Sequence, residues 1–432
     1  MKKKLQFCFF GAFHALCFAQ IYQPLDTADF AQRKQFLMDF KNKKELFIKS
    51  QKAKLSGKTA IQFGKTYQEY YKAFEEQVKE KAFVFNSPFN DILNGILLEL
   101  QKNNPQIPKN VNLLVARNNV PNAACLPDGT FVVHMGIFNW LNNEDQIAAI
   151  LSHEIAHQLK EHSVKSIVNA FNHAKNDAEL THINRKLIDS NLRNKAFNIA
   201  KGRLYESKNE SRKNEIQSDS LGYTLFRNTP FKKAEFLHAL ENLWDYDSLS
   251  PRMLQMETYQ KLYDLPQQPF KNSWMKKEDF SLYNYGNFRD KLDKDSISTH
   301  PEMSVRIEIL EKEFPEIKSQ DSVKTGGSEF LKLQKMAKME ILPNFYQTED
   351  FGVGIYVAMQ MIQDNFEEAY VKSWIGRFFN KIYVGRKNYT LNRYLDRVDP
   401  KSQSESYQQF LNFMWNLSVE DIQKFADFYS SP

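Results

Sequence analysis

The sequence predicts an α+β fold with helical flanks, and three observations carry that reading. Val111 to Ala116 and Thr130 to His134 are short, β-branched runs separated by turn residues that include Pro127-Asp128-Gly129, so they read as strands. Asn142 to His162 repeats Ile147, Ile150, Leu151, Ile155 and Leu159 at helical spacing, so it reads as one largely buried helix. Ala28 to Lys81 and Val353 to Val384 are helical in pattern on either side.

In chain order, the first nineteen residues have the layout of a secretory signal. Lys2, Lys3 and Lys4 form a positive start, Leu5 to Phe18 a short apolar run, and Cys17-Phe18-Ala19 a cleavage site before Gln20. Export to the periplasm is the expectation. Removing those lysines lowers the formal charge of +6 by three, a balance that does not argue for nucleic acid. Cys125 is then the one cysteine left, so no internal disulfide can form. No later stretch approaches eighteen consecutive apolar residues, so no transmembrane helix is expected in the mature chain. Residues 20–86 read as a helical segment, with Tyr67, Tyr70, Tyr71, Phe74 and Val78 as a stripe that packs on the body.

A helix from Ser87 to Lys102, with Pro88 in its first turn, opens the body. Asn122 to Leu126, between the two strands, is a candidate edge strand. Such an edge can pair with an extended peptide; Asn122, Ala123 and Ala124 are the candidates, and a plain sheet edge is the alternative.

The helix from Asn142 carries the chemistry. Asn142 or Asn143 can cap its start, and Glu144 and Asp145 suit its positive end. Inside it stands His153-Glu154-Ile155-Ala156-His157. Two histidines at i and i+4 share one face and can reach a single Zn²⁺, while Glu154 projects beside them as a general base. An unpaired ionisable cluster in a buried helix is costly, and a metal removes that objection.

A catalytic zinc needs a third protein ligand. Glu215 and Asp219 stand one turn apart on a helical stretch; Glu215 could bind the metal and Asp219 could accept the free N–H of a ligating histidine. Gly222, a turn further on, would let this helix approach the first one closely.

Taken together, Asn122-Ala123-Ala124-Cys125-Leu126-Pro127-Asp128-Gly129, Met135-Gly136-Ile137, Asn143-Glu144-Asp145, the HEIAH run and Glu215 to Asp219 resemble the CAAX prenyl protease and HtpX type of zinc metallopeptidase. Ser298-Thr299-His300-Pro301 with Arg306 is similar to a later segment of that family. The resemblance spans about Phe89 to Leu310. It implies a zincin-like (gluzincin) metallopeptidase core with one Zn²⁺ per chain, His153, His157 and Glu215 as ligands, and Glu154 as general base. The lack of transmembrane helices makes the chain most similar to the soluble periplasmic, BepA-like branch. Asp128 replaces a customary glycine, Cys125 a usual aromatic or small residue, and Ser218 a usual alanine.

The remaining histidines read differently. His134 on its strand is packed or exposed rather than a ligand, and His162 lies near the helix C-terminus, where a partial positive charge is favourable. His173 and His182 fall in a polar, solvated helical excursion. His300, fixed by Pro301, could stabilise an oxyanion, fill the open metal position or cap a helix; it and Arg306 complete the catalytic candidates. The metallopeptidase unit spans residues 87–315, a linker 316–328, and a helical domain 329–432 that includes an αα-hairpin joined by Asp364-Asn365. The expected activity is hydrolysis of peptide bonds in envelope or misfolded proteins, with protein or peptide substrates and an envelope-protein partner on the C-terminal domain. The rival is a chaperone-like binding protein whose zinc site is structural or self-blocked.

Overall fold

The computed structural model describes residues 22–169, 171, 210–248, 252–277, 303–318, 325–400 and 403–430. The signal expected over residues 1–19 and the segment with His300, His173 and His182 lie outside the described residues.

The strands fall together in one stretch between runs of helices, as in an α+β fold. Helices α1 (Phe30–Lys54) and α2 (Gly57–Lys79) lead into β1 (Phe83–Val84). Helix α3 (Pro88–Asn103) follows, with the backbone N–H of its cap Ser87 donating to Asn90 Oδ1 at 3.1 Å and Pro88 in the first turn. Strands β2 (Asn112–Ala116), β3 (Ala123–Cys125) and β4 (Thr130–His134) complete a four-stranded sheet of order β1-β2-β4-β3. Strands β2 and β4 run parallel, and β3 runs antiparallel to β4 with Ala124 opposite Val132. Strand β3 therefore lies at the edge of the sheet.

The long helix forms as α4 (Glu144–Leu159). Of the two cap candidates Asn143 is the one used: its Oδ1 accepts from Gln146 N at 2.9 Å. Both side chains also donate to the buried Glu235 carboxylate at 2.8 Å, which ties the start of α4 to α7 (Glu235–Ser248). Between them come α5 (residues 162–169) and α6 (residues 210–226). Beyond α7 follow α8 (Met256–Tyr263), α9 (Met303–Glu313), α10 (Ser328–Gln347), α11 (Phe351–Gln363), α12 (Glu368–Lys387), α13 (Glu405–Asn416) and α14 (Val419–Ser430). Helices α11 and α12 form the expected αα-hairpin, and Asn365 between them takes φ +55°.

Apolar side chains gather into three clusters. The first surrounds α4 and draws on α3, the sheet, α6, α7 and α9, then continues through Ile317 to Phe330, Leu333 and Ala337 on α10. The second is the aromatic core of the C-terminal helices. It also takes Tyr259, Leu262, Tyr263 and Trp274, which precede α9 in sequence. The third sets the Tyr67, Tyr71, Phe74 and Val78 stripe against Leu114, Ala116 and Val132 of the sheet, while Tyr70 stays 44% exposed. Sequence position and core membership thus diverge around residues 254–274 and 317–337.

One buried carboxylate joins distant segments. Glu340 on α10 is 0% exposed and accepts from Tyr22 Oη and Leu25 N at 2.7 Å and from Arg117 Nη2 at 3.0 Å.

Candidate metal centre

The site forms where α4 and α6 cross, and a glycine sets how near they come. A Cβ built on Gly222 would stand 2.9 Å from His153 Cα and 3.0 Å from its N, closer than a side chain tolerates. The close approach expected of Gly222 is therefore present. It brings Glu215 and Asp219 against the His153 turn of α4.

His153, His157 and Glu215 come together. The two Nε2 atoms stand 3.0 Å apart; Glu215 Oε2 lies 3.6 Å from His153 Nε2 and Glu215 Oε1 3.5 Å from His157 Nε2. Ligands of a tetrahedral zinc at 2.0–2.2 Å stand roughly 3.3–3.6 Å from one another; both distances to Glu215 fall in that range, and the two imidazole nitrogens are a few tenths of an ångström closer. The chemistry agrees: two facing imidazole nitrogens repel unless a proton or a metal lies between them. Among the described residues this is the one group of three or more such side chains able to share an ion.

Behind the ligands stands an ionic clamp. His153 Nδ1 lies 2.9 Å from Asp219 Oδ1, and Arg306 meets Asp219 through Nε and Nη2, each at 2.7 Å. Arg306 Nη1 is also 3.4 Å from Glu215 Oε2. The contacts of Arg306, read from the sequence as a catalytic candidate, are those of a positioning residue. Asp219 thus stands between His153 and Arg306.

Electrostatics differ sharply between the two histidines. Burial opposes charge on His153, but Asp219 and Glu215 outweigh it and lift its pKa to about 10. Burial and then the charge of His153 push His157 down to about 3. Burial raises the Asp219 carboxyl, yet Arg306 and His153 hold it below the usual carboxylate range. Glu154, raised to about 7 by burial, accepts from Cys125 N at 3.1 Å. That bond puts the Glu154 carboxylate at the outer edge of β3, the side to which Cys125 and Ala123 turn their backbone; Asn122 and Ala124, which the sequence reading also offered to a peptide, turn theirs to β4, with Asn122 O accepting from His134 N.

The departures in this region have local reasons. Asp128 closes the turn before β4, accepting from Thr130 N at 3.0 Å and Thr130 Oγ1 at 3.2 Å, and Gly129 supplies the φ of +79°. Burial holds the Cys125 thiol well above its usual pKa. His134 stays outside the ligand set, its Nδ1 3.2 Å from Val120 O. His162 requires correction. It does not serve as a charge for the helix end, because it is buried and burial lowers its pKa; Lys160 caps α4, and His162 Nδ1 lies 3.1 Å from His157 Nδ1. A separate groove of about 1230 Å³, lined by Arg117, Val120, Trp140, Tyr246 and Tyr356, includes none of the site residues.

A buried His-His-Glu set on two crossing helices, with a carboxylate beside it, is a metallopeptidase-type centre within an α+β fold. Comparison with known proteins agrees. The family described as Peptidase family M48 matches residues 92–314, more than half of the chain, and the chain belongs to that family of metallopeptidases. It is also similar to the mitochondrial metalloendopeptidase OMA1 of Schizosaccharomyces pombe, 46% identical over 55 residues; the match covers 13% of this chain and 16% of that relative. Among the described residues, no helix is long and apolar enough to cross a membrane.

Proposed function

We propose that the protein is a zinc metalloendopeptidase that cleaves extended protein segments, with His153, His157 and Glu215 holding the ion. The observation that carries this reading is Glu154. A purely structural site has no use for a half-buried carboxylate at the outer edge of a strand, beside the ligands, with its pKa raised to about 7. Zinc, when bound, supplies Lewis acidity that polarises the scissile carbonyl and acidifies the attacking water. Glu154 takes the proton from that water and delivers it to the leaving amine. The free edge of β3 at Ala123 pairs with the substrate backbone and aligns it. Asp219 and Arg306 keep the His153 ring and the Glu215 carboxylate in place. The lysine-led apolar start and the resemblance to a periplasmic branch support export and envelope-protein substrates, with the C-terminal helices as the surface for a partner.

The test compares the native chain with Glu154→Gln in zinc content and casein digestion. Equal zinc with digestion lost is the expected result; undiminished digestion by Glu154→Gln would refute the assignment.

A further inference from the structure

We infer that His162 is a positioning residue for His157, and that α6 controls both metal-binding histidines through two different relays. This rests on the metal-site reading above.

The backbone makes the contact possible. In an unbroken helix, position i+5 lies roughly 140° round from position i, so His162 could not face His157. Here α4 stops at Leu159, and Glu161 adopts the left-handed φ of +55°. Its carbonyl accepts from Lys165 N at 3.0 Å as α5 begins, and its side chain pairs with Lys54 on α1 at 2.8 Å. The reversal turns His162 back over the HEIAH turn, where it is 4% exposed.

Hydrogen-bond direction then follows from the ligand role. His157 can present an Nε2 lone pair to a metal only with its proton on Nδ1. That N–H points at His162 Nδ1, 3.1 Å away, which must accept. The proton of His162 therefore sits on Nε2, and Gln217 Oε1 lies 3.3 Å from that atom to receive it. Ser218 Oγ, 3.2 Å from His162 Nδ1, braces the ring from the same helix. Gln217 and Ser218 stand between Glu215 and Asp219 on α6. One helix thus supplies a ligand, a carboxylate for His153 and a neutral relay for His157. A neutral acceptor leaves His157 less electron-rich than a carboxylate would, so the two histidines are unequal ligands.

The test measures zinc affinity by chelator competition, and the melting temperature of the metal-free protein, for three variants. His162→Phe keeps the bulk and removes the acceptor; it should weaken zinc binding by on the order of ten- to a hundredfold. His162→Asn places an amide oxygen near the position of Nδ1 and should stay within about threefold of the native chain. Gln217→Leu removes the receiving oxygen and should weaken binding by about three- to tenfold. Equal weakening by Phe and Asn overturns the inference, because only the acceptor atom separates them. So does native affinity in His162→Phe. If His162→Phe does not fold, unchanged affinity in Gln217→Leu overturns it in turn. A native chain that binds no zinc overturns the metal-site reading, and this inference with it.

Discussion

The cluster around α4 and the cluster around α12 are both extensive, yet they bury different things. Around α4, His153, Glu215, Asp219 and Arg306 stand within an apolar shell, each 8% exposed or less. Around α12 the centre is Phe378, Phe379, Ile382 and Phe413. Buried polar groups there tie neighbouring segments to the core and hold no ligand set: Asp421 accepts from Ser418 N, Trp274 Nε1 and Lys271 Nζ, and Ser406 Oγ from Leu254 N and Tyr356 Oη. The lesson concerns tolerance. A packed hydrocarbon core answers only to volume, whereas the α4 core must satisfy volume, charge and ligand geometry through the same residues.

The sharpest probe of that contrast is Glu154→Gln. It changes neither volume nor ligand set, so stability and metal content should hold while kcat falls by about 10²- to 10⁴-fold. A large drop in melting temperature would mean that Glu154 belongs to the packing after all. Phe378→Ala, at 0% exposure, is the opposite experiment. It should cost about 3–5 kcal/mol in denaturant unfolding and leave zinc affinity of the folded protein unchanged. Gly222→Ala adds one methyl where α6 meets the His153 backbone, and both quantities should respond: about 1–3 kcal/mol of stability, together with weaker zinc binding. If only stability moved, the two helices would be free to separate without cost to the site. Asp219→Asn should weaken zinc binding by about ten- to a hundredfold, as loss of a partner behind a ligand does.

The smallest effect is a pH slope. With the pKa of His153 raised to about 10, the metal-free protein carries that proton at neutral pH, and binding must displace it. Zinc affinity should therefore tighten by about tenfold per pH unit between pH 6.5 and 8.5, with about one proton released. Calorimetry in buffers of different ionisation enthalpy reads that proton. The same charge stabilises the metal-free fold below about pH 6.5 and is lost as pH rises through 10.

Legibility followed the range of the interaction. The HEIAH pair was readable because i,i+4 geometry is local, and the strands and the Pro88 helix start were readable for the same reason. Glu215 and Asp219 were found by spacing and by the company of other motifs. What Arg306 grips was not readable, since that requires the crossing of α6 and α9. His162 was missed because its place depends on a left-handed glutamate, a residue type with no special liking for that conformation. The one local hint was Ser218, a hydroxyl at a position where alanine is usual. Residues 254–274 read as part of the 87–315 unit, although Tyr259, Leu262 and Tyr263 at helical spacing announce a buried face, which packs into the C-terminal core.

The convergence on Glu340 gives the chain a built-in timer. The Leu25 amide lies in the irregular stretch before α1, where backbone without a ladder partner ordinarily exchanges its hydrogen readily. Instead it donates to a carboxylate on α10 from which water is shut out, and that helix contributes Leu333 to the α4 core and Leu342 to the α12 core. Leu25 exchanges when its segment and α10 part. Its deuterium uptake would therefore report how often the stretch before α1 lets go of Glu340.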